Sequence, residues 1–108
     1  MKKSMNDCLF CKISKKETPA DVVFENGEVV AFKDINPKAR VHLLFVLKKH
    51  IDSVAVLEDS DEELVGKLIF AARDMAKKEN LSGYKLVFNV GRTGGQIIDH
   101  IHLHLLAD

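Results

Sequence analysis

His100-Ile101-His102-Leu103-His104-Leu105-Leu106 alternates polar and apolar side chains up to its last residue. Period-two alternation marks a β-strand, whose successive side chains point to opposite faces. His100, His102 and His104 therefore share one face, and Ile101, Leu103 and Leu105 share the other. Same-face neighbours lie about 6.6 Å apart along a strand, so the outer two imidazoles are about twice that apart. A zinc–nitrogen bond is only about 2.0–2.1 Å long. One ion cannot readily hold all three rings, and at least one of them has a task other than metal binding. Neutral imidazole can attack phosphorus, shuttle protons or ligate metal. Three histidines in register on one face are costly to bury for structure alone, since each polar ring needs a partner.

Just upstream runs Gly91-Arg92-Thr93-Gly94-Gly95-Gln96. Glycines let backbone N–H groups approach a ligand and form an anion-binding nest. Arg92, Thr93 and Gln96 add side-chain donors. Alone, this is an ordinary turn between two strands. Directly before three imidazoles it becomes a candidate phosphate site. Together the two stretches point to phosphoryl or nucleotidyl transfer by covalent catalysis. His102, in the middle, is the expected nucleophile, and its second ring nitrogen must donate a hydrogen bond that fixes the tautomer. His104 and His42 are expected to bind phosphate oxygens or assist the leaving group.

Further out, Val41-His42-Leu43-Leu44-Phe45-Val46-Leu47 is a near-continuous apolar run, expected to be a central strand. Asp21–Glu25 and Val29–Phe32 flank Asn26-Gly27, a tight-turn signal, and predict a hairpin. Tyr84–Asn89 alternates as another strand. Ser60-Asp61-Glu62-Glu63 matches a capping box with Ser60 as N-cap. Leu64, Leu68, Ala71, Ala72 and Met75 then recur at helical spacing, predicting a helix to about Glu79. Residues 8–16 predict a short helix with Leu9, Phe10 and Ile13 as its apolar positions, ended by Thr18-Pro19. Five strands joined by short turns, with one long and one short helix, predict an α+β fold on an antiparallel sheet.

The 108 residues suit one domain, and 46% apolar side chains suffice for a core without disulfide staples. Sixteen basic and sixteen acidic residues cancel, so no basic excess points to nucleic acid or a membrane surface. Val41–Leu47 is too short to span a bilayer. No apolar run follows the basic start Met1–Asp7, so no secretion signal is read there and the expected compartment is the cytoplasm. Cys8 and Cys11 are spaced C-x-x-C, which in a reducing compartment suggests metal binding or redox chemistry before a disulfide. No βαβ pattern surrounds them, which disfavours redox catalysis. The spacing is half of a tetrahedral zinc site. The alternative is a pair of reduced, half-buried thiols.

Gly94-Gly95-Gln96-x-x-x-His100-x-His102-x-His104-Leu105-Leu106 resembles the histidine-triad (HIT) superfamily. So do Phe32-x-Asp34-Ile35-x-Pro37-x-Ala39-x-x-His42 and Leu47-Lys48-Lys49-His50-Ile51. Order and spacing resemble the histidine-triad nucleotide-binding branch, the purine nucleoside phosphoramidases, from Cys8 to Leu106. The resemblance implies a five-stranded antiparallel sheet with two helices, a homodimer, and hydrolysis of adenosine or guanosine 5′-monophosphoramidates through a nucleotidyl-histidine on His102. It implies a catalytic set of His102, His104, His42 and His100. It places Asp34 on the ribose hydroxyls and Leu9, Phe10, Ile13, Phe32 and Ile35 around the base. It places Asn89, Gly95, Gln96, His102 and His104 on the α-phosphate. Without it, Asp34 is a loop acid and the apolar residues are equally ordinary core. It also implies a structural zinc on Cys8, Cys11, His50 and His100. Two positions depart from the pattern: Ile97 stands where relatives often carry serine, and Asp99 where an aromatic is common. The other functions compatible with the same residues are dinucleoside polyphosphate hydrolysis, nucleotidyl transfer, and nucleotide binding for regulation with little turnover.

Overall fold

The computed structural model describes residues 8–108; Met1–Asp7, read above as carrying no secretion leader, lies outside them. Five strands form one antiparallel sheet: β1 (Val22–Glu25), β2 (Val29–Lys33), β3 (Val41–Leu47), β4 (Lys85–Phe88) and β5 (His102–Ala107). Their spatial order is β1-β2-β3-β5-β4. The near-continuous apolar run is thus the middle strand, as its composition requires. Its two faces meet two different sets of apolar residues. Leu43, Phe45 and Leu47 join Val29, Ala31, Ile101, Leu103 and Leu105 on one side. Leu44 and Val46 join Val30 and Phe32 on the other.

The first side is covered by α2 (Glu62–Lys78), which buries Leu68, Ala71, Ala72, Met75 and Ala76. The second is covered by α1 (Leu9–Ser14), which buries Phe10, Cys11 and Ile13. Alternation along the last strand therefore sends its apolar residues under α2. Its histidines go to the α1 side, where the functional groups gather. β5 is inserted between β3 and β4, with Val46 opposite His102, Leu44 opposite His104 and Val87 opposite His104.

Three local expectations are corrected. The strand begins at His102, so His100 precedes it; the Ile101 N–H is instead bonded to the Ile51 carbonyl at 2.7 Å, drawing residues 50–52 alongside. Ser60 is not the N-cap of α2. A 3₁₀ turn, Asp59–Asp61, leads into the helix, and Asp61 takes over the start. Its buried carboxylate accepts the Glu58 N–H at 3.0 Å and Lys49 Nζ at 2.7 Å. That pair of partners outcompetes an exposed serine hydroxyl. At the hairpin, neither Asn26 nor Gly27 takes a positive φ. The Asn26 side chain makes the turn by accepting the N–H groups of Glu28 and Val29 at 2.9 and 2.8 Å. No helix among the described residues is long and apolar enough to cross a membrane.

Candidate functional site

Adjacent antiparallel strands bring diagonal side chains within reach. His42 on β3 and His104 on β5 meet this way, His42 Nε2 lying 2.9 Å from His104 Nδ1. The protons follow from the outer partners. His42 Nδ1 accepts the Lys38 N–H at 3.0 Å, so a neutral His42 carries its proton on Nε2 and donates it to His104 Nδ1. Asp34 stands behind this contact, with Oδ2 3.4 Å from His42 Nε2 and Oδ1 accepting the Asn36 N–H at 2.8 Å. His104 then carries its proton on Nε2, beside the Asn89 amide nitrogen at 3.5 Å.

His102 is oriented separately. Its Nδ1–H donates to the His100 carbonyl at 2.7 Å, which leaves Nε2 with a free lone pair. The ring is flanked edge-on by Phe10 and His104, centroids 5.0 and 4.9 Å away. Burial disfavours the charged imidazolium and holds the His102 pKa below the ordinary histidine value. His104 is pushed down to about 4, first by burial and then by the neighbouring His102 and His42. Both rings are neutral at pH 7.

These groups line a cavity of about 580 Å³. Leu9, Phe10, Ile13, Phe32, Asp34, Ile35, His42, Asn89, Gly95, His102 and His104 all line it. Leu9 and Ile35 stand largely exposed at its rim, whereas Phe10, Ile13 and Phe32 are buried. The cavity is mainly apolar; its polar lining is His42, His102, His104, Asp34, Asn89, Asn36, Thr18, Lys33 and Lys38, a composition suited to a small ligand with one polar end.

Gln96 is a correction: it does not line the cavity. Its Oε1 accepts the Gly91 N–H at 2.9 Å, and its Nε2 donates to the carbonyls of Asp52 and Ile98 at 2.7 and 2.9 Å. The glycine loop is likewise closed on itself. The N–H groups of Gly94, Gly95 and Gln96 donate to Gly91 and Arg92 carbonyls in a 3₁₀ turn, so they form no open nest. Arg92 is spent on the Gln96 and Ile97 carbonyls and on Asp99. The loop is a brace that sets the strand behind it. Gly95 lines the cavity: at φ 91° it adopts a left-handed conformation that a Cβ would strain, within van der Waals reach of the Asn89 side chain.

A second cluster lies under α1. The ligand atoms of Cys8, Cys11, His50 and His100 all fall within 4.8 Å of one another. Cys8 Sγ is 3.2 Å from His100 Nδ1, Cys11 Sγ is 3.2 Å from His50 Nδ1, and Cys11 Sγ is 3.5 Å from His100 Nδ1. A tetrahedral zinc with bonds of about 2.3 Å to sulfur and 2.0–2.1 Å to nitrogen spaces its ligands by about 3.3–3.8 Å, so the cluster fits the ion. Both imidazoles present a bare Nδ1, because each Nε2–H is already committed. His100 Nε2–H donates to the Leu47 carbonyl at 2.7 Å, and His50 Nε2–H donates to Asp52 Oδ1 at 2.8 Å. Carbonyl and carboxylate partners of this kind fix metal-binding histidines. Burial, aided by Cys8, pushes the Cys11 thiol up to about 11, and burial, aided by the neighbouring imidazoles, pushes His100 down to about 4. A divalent cation would reverse that preference at the thiols. The roles of Leu47, Lys38 and Gln96 had no sequence signal, being backbone groups or an inward-turned amide. Asp52, two residues after His50, could have been suspected as the partner of a ligand.

The sheet order, the helix on each face and the paired imidazoles describe a histidine-triad protein. The chain belongs to that superfamily: residues 7–108 match the family described as scavenger mRNA decapping enzyme C-term binding. It is similar to Protein HitA of Neisseria gonorrhoeae, 45% identical over 104 residues that cover 95% of this chain and 97% of that one. A 14 kDa zinc-binding protein of Zea mays is 44% identical over 102 residues, 92% of this chain and 80% of that one. The crystal structure of a HIT family hydrolase from Legionella pneumophila Philadelphia 1 superposes with a TM-score of 0.92. It is 50% identical, with 94% of this chain and 92% of that chain covered.

Proposed function

We propose that the chain, as a single domain over residues 1–108, hydrolyses purine nucleoside 5′-monophosphoramidates with His102 as the nucleophile. The observation that carries this reading is the bond from His102 Nδ1–H to the His100 carbonyl, which leaves a neutral, unprotonated Nε2 beside the cavity. In the proposed reaction Nε2 attacks the phosphorus atom. A nitrogen–phosphorus bond forms to His102 as the bond to the departing amine breaks. The amine takes up a proton from solvent water. Water then cleaves the nucleotidyl-histidine, releases the nucleoside monophosphate, and restores the proton. Asn89 and His104 offer N–H groups to the phosphate oxygens, Asp34 accepts from the ribose hydroxyls, and the apolar wall takes the base. The name hydrolase carried by the Legionella protein supports the reaction class.

The test is to incubate the protein with adenosine 5′-monophosphoramidate, quench at alkaline pH, and map the modified residue by mass spectrometry. Adenylyl on His102 is expected, and the His102→Ala variant is expected to lose on the order of 10³-fold or more in turnover. Modification elsewhere, or turnover that survives the substitution, overturns the reading. Faster hydrolysis of a diadenosine polyphosphate in the same assay would move the substrate class.

The fit of the Cys8, Cys11, His50 and His100 cluster, and the zinc-binding relative from maize, support a bound zinc. Zinc would supply a cross-link between α1 and the loops at residues 50 and 100. A homodimer is also proposed. β4 is an edge strand, and Leu86 on it is 37% exposed although its cross-strand partner Leu105 is fully buried. Ile69 and Phe70 leave further apolar surface open on α2.

A further inference from the structure

Helix α1 belongs to two sites at once. Cys8, immediately before it, and Cys11, within it, supply both thiols of the metal cluster. Leu9, Phe10 and Ile13, from the same six residues, form part of the cavity wall. Phe10 links the two. Its ring packs edge-on against His100 of the cluster at 5.9 Å and against His102 at 5.0 Å. His100 is shared in the same way: its imidazole sits in the cluster while its carbonyl holds His102 Nδ1. A helix of six residues has no stability of its own, because nucleation costs more than so few hydrogen bonds return. Its position depends on what docks it to the sheet.

Resting on the nucleotide reading above, we propose that zinc at Cys8, Cys11, His50 and His100 and a nucleotide in the cavity strengthen each other's binding, because both require α1 docked with Phe10 against His100 and His102. The two states are α1 docked and α1 released. Zinc finds four ligands only in the first. A nucleotide base finds the wall made by Leu9, Phe10 and Ile13 only in the first. Two ligands that select the same state must favour one another by an equal factor in each direction. The metal centre thereby becomes part of the machinery that holds the cavity closed, although none of its ligand atoms need touch the nucleotide.

The experiment measures AMP binding by calorimetry to zinc-loaded protein, at about one zinc per chain by metal analysis, and to chelator-stripped protein whose fold is checked by circular dichroism. AMP is expected to bind the stripped protein about ten-fold more weakly or worse. In the reciprocal arm, saturating AMP is added to the loaded protein while a chromophoric chelator competes for zinc. Zinc affinity is expected to rise by the same factor. If the stripped chain unfolds, the reciprocal arm decides alone, since it uses only the loaded protein. Equal AMP affinities together with an unmoved zinc affinity overturn the coupling and leave the nucleotide reading intact. AMP that fails to bind loaded protein overturns the nucleotide reading and this inference with it.

Discussion

His104 shows how a polar side chain in this site is kept in one protonation state by its neighbours. It receives a hydrogen bond from His42 Nε2–H, which makes a proton on its own Nδ1 unwelcome. Burial and the nearby imidazoles lower its pKa to about 4, against an ordinary value of about 6.5. The fold therefore holds His104 neutral, while the unfolded chain takes up a proton as pH falls below about 6.5. Between about 6.5 and about 4 the unfolded state binds more protons, so stability declines as pH falls through that window and is fully present above it. The ring is only half-buried, so solvent screening reduces the effect to about 1 kcal/mol between pH 7 and pH 5. Urea unfolding of wild type and His104→Gln at the two pH values checks this. The variant is expected to lose that share of the pH dependence, and an identical slope in both proteins would contradict the assignment.

At the scale of elements, the start of α2 rests on Asp61 rather than on a serine cap. Its carboxylate, held well below the usual range by Lys49 and by the Glu58 N–H, closes the 3₁₀ turn that feeds the helix. Asp61→Ala removes both contacts and loosens the 3₁₀ turn from which α2 starts. The melting temperature is expected to fall by about 4–8 °C in calorimetry, with Asp61→Asn, which keeps an acceptor for the Glu58 N–H, falling less. This element also marks where the sequence stops being readable. Ser60 and Glu63 have the right spacing for a capping box, but the choice between Ser60 and Asp61 is made by Lys49, eleven residues from Ser60 and on another segment. Alternation revealed β5 and helical spacing the apolar stripe of α2, while a near-continuous apolar run marked β3 and the Asn26-Gly27 turn signal marked the hairpin to β2, each a local pattern. The three histidines were correctly assigned a common side for the same reason. The glycine loop was read as a phosphate nest because glycine spacing is visible while the direction of an N–H is not. Its donors turn inward to Gly91 and Arg92, a decision made by backbone angles that composition does not encode. The Cys and His partners across 92 residues were joined only through the family pattern; nothing local pairs Cys8 with His100.

For the whole molecule, two-sided coverage of the sheet still leaves its two edge strands, β1 and β4, open. α1 and α2 close the faces of β2 and β3, but β4 has a neighbour on one side only, and its Leu86 extends the buried α2-side layer out to solvent. An exposed edge strand with apolar side chains invites pairing with another chain unless something blunts it. Here Lys85 is the only charge on the four-residue strand, too little to repel a second copy. Pairing two β4 edges about a two-fold axis would place Leu86 of each chain on a shared face, and would continue the five-stranded sheet into one of twice the width. A dimer stable at micromolar concentration needs about 1,200 Å² or more of buried surface, which the edge must share with the exposed Ile69 and Phe70 of α2. Sedimentation equilibrium is therefore expected to return twice the 12.1 kDa chain mass. Leu86→Lys, which sets like charges against each other across the axis, is expected to shift the protein toward monomer by at least ten-fold in dissociation constant, a change of about 1.4 kcal/mol. A wild-type protein sedimenting as a monomer at tens of micromolar would show that this edge is left open in solution.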